Sequence, residues 1–152
     1  MTEMKLVLCA TDGSEHAYKA LEFAADLAQS KNAELLVVHV HRVRGSERIS
    51  REMQELERIE QVRMTEAGIL RSVAERIASE GAKVARTKGV SGVESLVVEG
   101  DPARGIVETA KTRGADPIVI GSRGLGDLQG LLLGSVSHKV AHLAPCTTII
   151  VH

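Results

Sequence analysis

Apolar residues along this chain follow two alternating rhythms. Leu6 to Ala10 is a short unbroken apolar run, and Leu35 to Val40 is a second, interrupted only by His39. Leu96 to Val98 lies within a third segment, Glu94 to Glu99; Asp116 to Ile120 and Cys146 to Val151 complete the set. Runs of this length, bounded by turn residues, are expected of strands buried on both faces of a parallel sheet. Between them the spacing changes to three and four. Ala17, Ala20, Leu21, Ala24, Leu27 and Ala28 predict an amphipathic helix whose small-residue face can pack close to a sheet. From about Ser50 to Glu80, Leu56, Ile59, Val62, Ile69, Val73 and Ile77 fall on one side of a helical wheel and predict a long helix. Gly81 is the expected stop. Ile106, Val107 and Ala110 mark a third helix, and a fourth runs from about Gly134 to Leu143, halted by Pro145. Residues 42–49 read as a charged loop and residues 82–92 as an irregular connection.

Local chemistry supports these boundaries. Ser14 is a good N-cap, and Glu15 places a negative charge in the first helical turn. Asn32 suits the left-handed residue that closes a helix. Asp101 followed by Pro102 is a strong helix start, and Gly114 after Lys111 and Arg113 is a strong helix stop. Pro117 is tolerable only at the first position of its strand.

Strand and helix alternate as βαβαβαβαβ. The expected fold is therefore α/β: a single doubly wound five-stranded parallel sheet with helices on both faces, Rossmann-like, in strand order 3-2-1-4-5. Ligands of such sheets lie at the carboxyl ends of the strands, where strand order reverses. If strands one and four are neighbours, the loop Thr11 to Gly13 and the glycine-rich segment after Ile120 face one ligand.

Composition narrows the classes. A chain of 152 residues with no linker or composition shift is expected to be one domain, residues 1–152. Its 43% hydrophobic and 26% charged content is ordinary for a globular protein, and its net charge of −1 gives no reason to expect nucleic acid or an anionic membrane as partner. One Tyr, one Phe and no Trp leave almost no aromatic platform, so a bound base must sit between aliphatic groups and backbone. Cys9 and Cys146 both fall in apolar runs and are expected to be buried reduced thiols of a cytoplasmic protein. No apolar run approaches the length of a membrane span, and the N-terminus reads as a first strand and not as a signal peptide.

Residues 121–134 carry five glycines, Gly121, Gly124, Gly126, Gly130 and Gly134. A strand, a glycine-rich loop and a helix start, in that order, suit an anion. A Walker A loop fails because Asp127 stands where the lysine is needed, and the dinucleotide fingerprint fails at its last glycine spacing. No acid-rich metal cage and no nucleophile elbow are present. His138 and His142 lie four apart, yet no third ligand joins them at a suitable spacing. His39 and His41 share one strand face near the expected crevice, where a satisfied or exposed strand histidine is the simpler role.

What does fit is Gly121, Gly124, then Gly134 and Ser135. With the segment Ala10 to Ser14, the strand end Val38 to Val40, the helix start Gly100 to Ala103, the run Gly114 to Gly124, the segment Leu131 to Ser137 and Ala144 to Cys146, this resembles the universal stress protein family, UspA-like and of the ATP-binding kind. The matching pieces span nearly the whole chain in order. Pro117, where the family usually has an aliphatic residue, and the loosely fitting residues 82–92 are the departures. The resemblance implies a single domain of that family that binds ATP, with Mg²⁺ accompanying the phosphates. Asp12 would accept hydrogen bonds from ribose hydroxyls, and Ala10 and Val40 would flank adenine. Gly121, Arg123 and Gly124 would wrap ribose and phosphates, while Gly134, Ser135, Val136 and Ser137 would present N–H groups and hydroxyls to the phosphates. Thr11 and Ile120 complete the set. It also implies a homodimer joined through the edge strand Thr147 to Val151. The implied role is regulatory, with at most slow hydrolysis. The alternatives are an ATP-hydrolysing or transferring enzyme using the same pocket, and a dimeric module that binds no nucleotide.

Overall fold

The computed structural model describes residues 3–42, 60–125 and 133–152. The elements are β1 (Leu6–Ala10), α1 (Glu15–Ser30), β2 (Glu34–His41), α2 (Glu60–Thr87), β3 (Val93–Glu99), α3 (Pro102–Arg113), β4 (Ile118–Gly121), α4 (Ser135–Leu143) and β5 (Thr148–Val151). The five strands form one parallel sheet in the order β3-β2-β1-β4-β5, as expected. Leu8 pairs with Leu36 on one side and with Ile118 on the other, so β1 is central and strand order reverses between β1 and β4.

Alternation along the strands builds two separate cores. Val7, Cys9, Leu35, Val37 and Val119 point to one face and meet the alanines of α1 and α2. Leu8, Ala10, Leu36, Val38, Val40, Ile118 and Ile120 point to the other and meet Ala103, Ile106 and Ala110 of α3 and Val140 of α4. Every one of these strand side chains is buried because a helix covers each face.

The caps form as the sequence predicts. Ser14 Oγ accepts the Ala17 N–H at 3.2 Å, and Asp101 Oδ2 accepts the Arg104 N–H at 3.1 Å. Asn32 is left-handed with φ 53°, and Gly114 closes α3 with φ 67°. Pro117 sits one residue before β4, where its carbonyl accepts the Leu8 N–H.

Three expectations need correction. Gly81 does not stop the long helix: α2 continues to Thr87, through most of the stretch expected to be irregular. A Cβ at Gly81 would lie 3.0 Å from Val37 Cγ1 and 3.2 Å from Leu21 Cδ1. At this glycine α2 packs tightly against both the sheet and α1, and tertiary packing outweighs its poor helix propensity. Second, the stripe expected to be buried is not the buried one. Ile69 and Val73 are exposed and Ile77 is half-buried, while Ala74, Ala78, Ala82 and Ala85 face the core. Closeness to the sheet selects small side chains over greasy ones here. Residues 50–59, with Leu56 and Ile59, lie outside the described residues, as does the loop of residues 43–49. Third, Cys146 is half-buried in the bend before β5, not in a strand. Both thiols are free.

Candidate functional site

The carboxyl ends of β1, β2 and β4 open into one cavity of about 330 Å³, a volume at the lower end of small-ligand sites. Its depth is aliphatic: Ala10, Val38, Val40, Ile106 and Ile120 line it. Ile106 belongs to α3 and the others to the strand face that packs on it, so the core on that side grades directly into the cavity. Its mouth is polar, with Thr11, Asp12, His39, Arg42 and Arg123.

The loop after β1 is shaped by its own side chains. The Thr11 N–H continues the strand ladder to the Val38 carbonyl, and Thr11 Oγ1 accepts the Gly13 N–H at 3.2 Å. Asp12 Oδ1 accepts the Ser14 N–H at 2.9 Å, a local Asx-type bond that sets the turn into α1. Its other oxygen, Oδ2, accepts the Leu125 N–H at 2.9 Å. One carboxylate thus ties the first loop of the chain to the glycine-rich segment. His39 Nδ1 lies 2.8 Å from the Thr11 carbonyl. A carbonyl only accepts, so Nδ1 carries the proton in this contact.

The opposite wall rests on Ser122. Its N–H donates to the Val151 carbonyl, and its own carbonyl accepts the Gly134 N–H at 2.6 Å and the Ser137 hydroxyl at 2.8 Å. The start of α4 is thereby fastened to the exit of β4. Gly134 is the N-cap and has no side chain to bond the first turn. The N–H groups of Ser135, Val136 and Ser137 have no intrahelical acceptor, and all three residues line the cavity. Unpaired donors and the positive end of the helix dipole make this a place for an anion. Gly121 serves packing. A Cβ there would lie 2.8 Å from the carbonyl carbon and oxygen of His16, so only glycine lets β4 pass under the first turn of α1.

Of the expected residues, Ala10, Thr11, Asp12, Val40, Ile120, Gly121, Arg123, Gly124, Ser135, Val136 and Ser137 all line this cavity. Gly134 does not: it is buried, with its N–H on the Ser122 carbonyl. The Ser137 hydroxyl is likewise turned inward, bonded to the Ser122 and Gly134 carbonyls, leaving only backbone for a ligand. Sequence reasoning did not pick Val38, Ile106, Pro102, Ala17, Leu125 or Arg42 as lining residues. Strand alternation from Val40 was a signal for Val38, and the position of Pro102 at a helix start was a signal for that wall. Arg42 carries no motif.

Other sequence candidates fall elsewhere. His138 and His142 line a separate groove with Asp101, Arg104, Lys139 and Leu143. Among the described residues no group of three or more His, Cys, Asp or Glu is placed to hold a metal. No helix among them is long and apolar enough to cross a membrane. Burial pushes the Cys9 thiol far above its ordinary range; burial and the nearby Asp116 charge raise Cys146 more modestly. Neither thiol is an activated nucleophile.

Comparison with known proteins agrees with this geometry. The model of the universal stress protein family matches residues 3–152. Universal stress protein YxiE of Bacillus subtilis is 34% identical over 152 residues, covering 95% of this chain and 97% of the relative. Among solved structures, a universal stress protein in complex with cAMP superposes with a TM-score of 0.73 at 26% identity, covering 99% of this chain and 98% of the other. The universal stress protein from Archaeoglobus fulgidus in complex with dAMP superposes with a TM-score of 0.65 at 26% identity, covering 100% of both chains.

Proposed function

The chain belongs to the universal stress protein family, and from that premise we propose that it is a regulatory stress-response protein whose crevice binds an adenine nucleotide, ATP foremost. One observation carries the reading: at the β1/β4 switch point, an aliphatic cleft opens onto Arg123 and the uncapped N-terminus of α4. The cleft suits a base held without aromatic stacking, and the helix start suits phosphates. Structural neighbours bound to cAMP and dAMP support the choice of adenine. Asp12 keeps lone pairs for ribose hydroxyls beyond the two backbone bonds it already accepts.

Turnover in this reading is slow at most. Asp12 is the only carboxylate among the described lining residues, and both its oxygens are engaged in holding loops. Efficient phosphoryl transfer needs a group to position the attacking water and carboxylates to anchor the metal. Mg²⁺ would arrive with ATP and be held chiefly by phosphate oxygens.

Ser135→Glu and Arg123→Glu test the site by calorimetry. Each puts a negative charge against the phosphates, and Glu in a first helical turn does not harm the helix. The expected result is at least a tenfold loss of ATP affinity with unchanged thermal stability. ATP binding at wild-type strength in both variants would remove the assignment. Mass spectrometry of the small molecule that co-purifies with the protein would name the physiological ligand.

The cytoplasm is the compartment proposed. A homodimer through the Thr147–Val151 edge is proposed as well: all four residues of β5 remain half-buried at an open sheet edge, which invites pairing. Light scattering at tens of micromolar should give twice the chain mass, and a strict monomer would refute the pairing.

A further inference from the structure

The mouth of the crevice carries positive charge on two opposite sides. Its charged lining residues are one carboxylate, Asp12, and two guanidinium groups, Arg42 and Arg123. Neither arginine has an ion-pair partner among the described residues. They do not stand side by side. Arg123 follows β4, and Arg42 follows β2 on the far side of β1. Two strand spacings separate those exits, about 10 Å. The cations therefore flank the crevice, with the loop of Asp12 between them.

This placement gives the two arginines different tasks. Arg123 shares its wall with the start of α4, where 5′-phosphates would lie. A nucleotide with those phosphates on α4 and its ribose over Asp12 would hold its 2′ and 3′ oxygens between the two arginines, within reach of the β2 exit. Arg42 waits on that side. A guanidinium is always charged and presents a planar fork matched to phosphate oxygens.

We propose that the crevice takes a nucleotide phosphorylated on both sides of its ribose, with 5′-phosphate on the α4 wall and a 2′- or 3′-phosphate on Arg42. This rests on the nucleotide-binding reading above and names the ligand class for that same site. Arg42 is then a specificity-determining residue.

The test compares affinities for AMP, adenosine 2′,5′-bisphosphate and adenosine 3′,5′-bisphosphate by calorimetry at fixed salt. In the wild-type protein one of the two bisphosphates is expected to bind about tenfold more tightly than AMP, and which one does identifies the oxygen. In Arg42→Ala that ratio should fall to near one. In Arg42→Lys, which keeps charge but loses the planar fork, most of the ratio should remain. Neither bisphosphate binding better than AMP overturns the proposal while leaving nucleotide binding intact. So does a ratio that survives Arg42→Ala, the result expected if Arg42 only stacks on the base. Wild-type protein that binds neither AMP nor ATP would instead remove the underlying nucleotide reading, and the ligand class with it.

Discussion

The two walls of the crevice are built differently. The β4–α4 wall is backbone: Gly121 passes under His16, the Ser122 carbonyl holds Gly134 and Ser137, and α4 offers N–H groups. The β2 wall is side chains: Val38, His39, Val40 and Arg42. Backbone donors read a phosphate whatever nucleotide bears it, and they cannot change without changing the fold. Side chains on a paired strand change freely as long as the ladder survives. The first wall can accordingly fix what the ligand class shares, and the second what distinguishes one ligand from another.

The sharpest way to break this contrast is Gly121→Val. The added side chain meets the His16 main chain, which cannot yield as a flexible side chain would. The expected cost is about 3 kcal/mol or more in urea unfolding. Loss of ligand in this variant would therefore report the fold and not the site, and a cost below about 1 kcal/mol would show that the wall is less rigid than described. A smaller effect belongs to β1, the strand between the walls, on its face turned away from the crevice. Cys9 is fully buried and its thiol is held protonated in the folded chain. Once pH rises above about 8.5, the unfolded thiol loses its proton and the folded one does not, so the folded state binds more protons and stability falls. The Cys9 part of the slope should reach about 1.4 kcal/mol per pH unit and be lost in Cys9→Ala, leaving the smaller part due to the raised Cys146 thiol; an unchanged slope in that variant would refute the assignment. The smallest effect is Ser137→Ala. Its loss leaves the Ser122 carbonyl still bonded to the Gly134 N–H, so about 1 kcal/mol is expected by thermal denaturation. If phosphate affinity falls far more than stability, the hydroxyl contributes to the ligand directly and the wall is not purely backbone.

Much of this was legible from residue order. Strand runs, caps at Ser14, Asp101 and Gly114, and the glycine spacing after Ile120 each encode a local requirement, and local requirements can be read locally. Two kinds of feature could not. Gly81 looks like a helix stop because its reason, the nearness of Val37 and Leu21, comes from residues far away in sequence. The Ala74–Ala85 stripe was passed over for the same reason: a periodicity argument ranks Ile69 and Val73 above alanine, while a close helix–sheet approach ranks them below. Within the site, the division of labour was hidden as well. Nothing in the order of residues says that the Ser137 hydroxyl turns inward, or that Arg42 belongs to the cavity at all.

The bond from Leu125 to Asp12 joins residues 113 positions apart. Its consequence is one of timing. One wall is synthesised by residue 42 and the other only after residue 120, with the central strand β1 waiting in between for its second neighbour. At ordinary translation speeds that interval is roughly 4–16 s. Throughout it, β1 and β2 can pair, but no phosphate cradle exists. On the proposed nucleotide-binding reading, the nascent chain cannot sense ligand until nearly all of it has been made, and capture would be the last event of its folding.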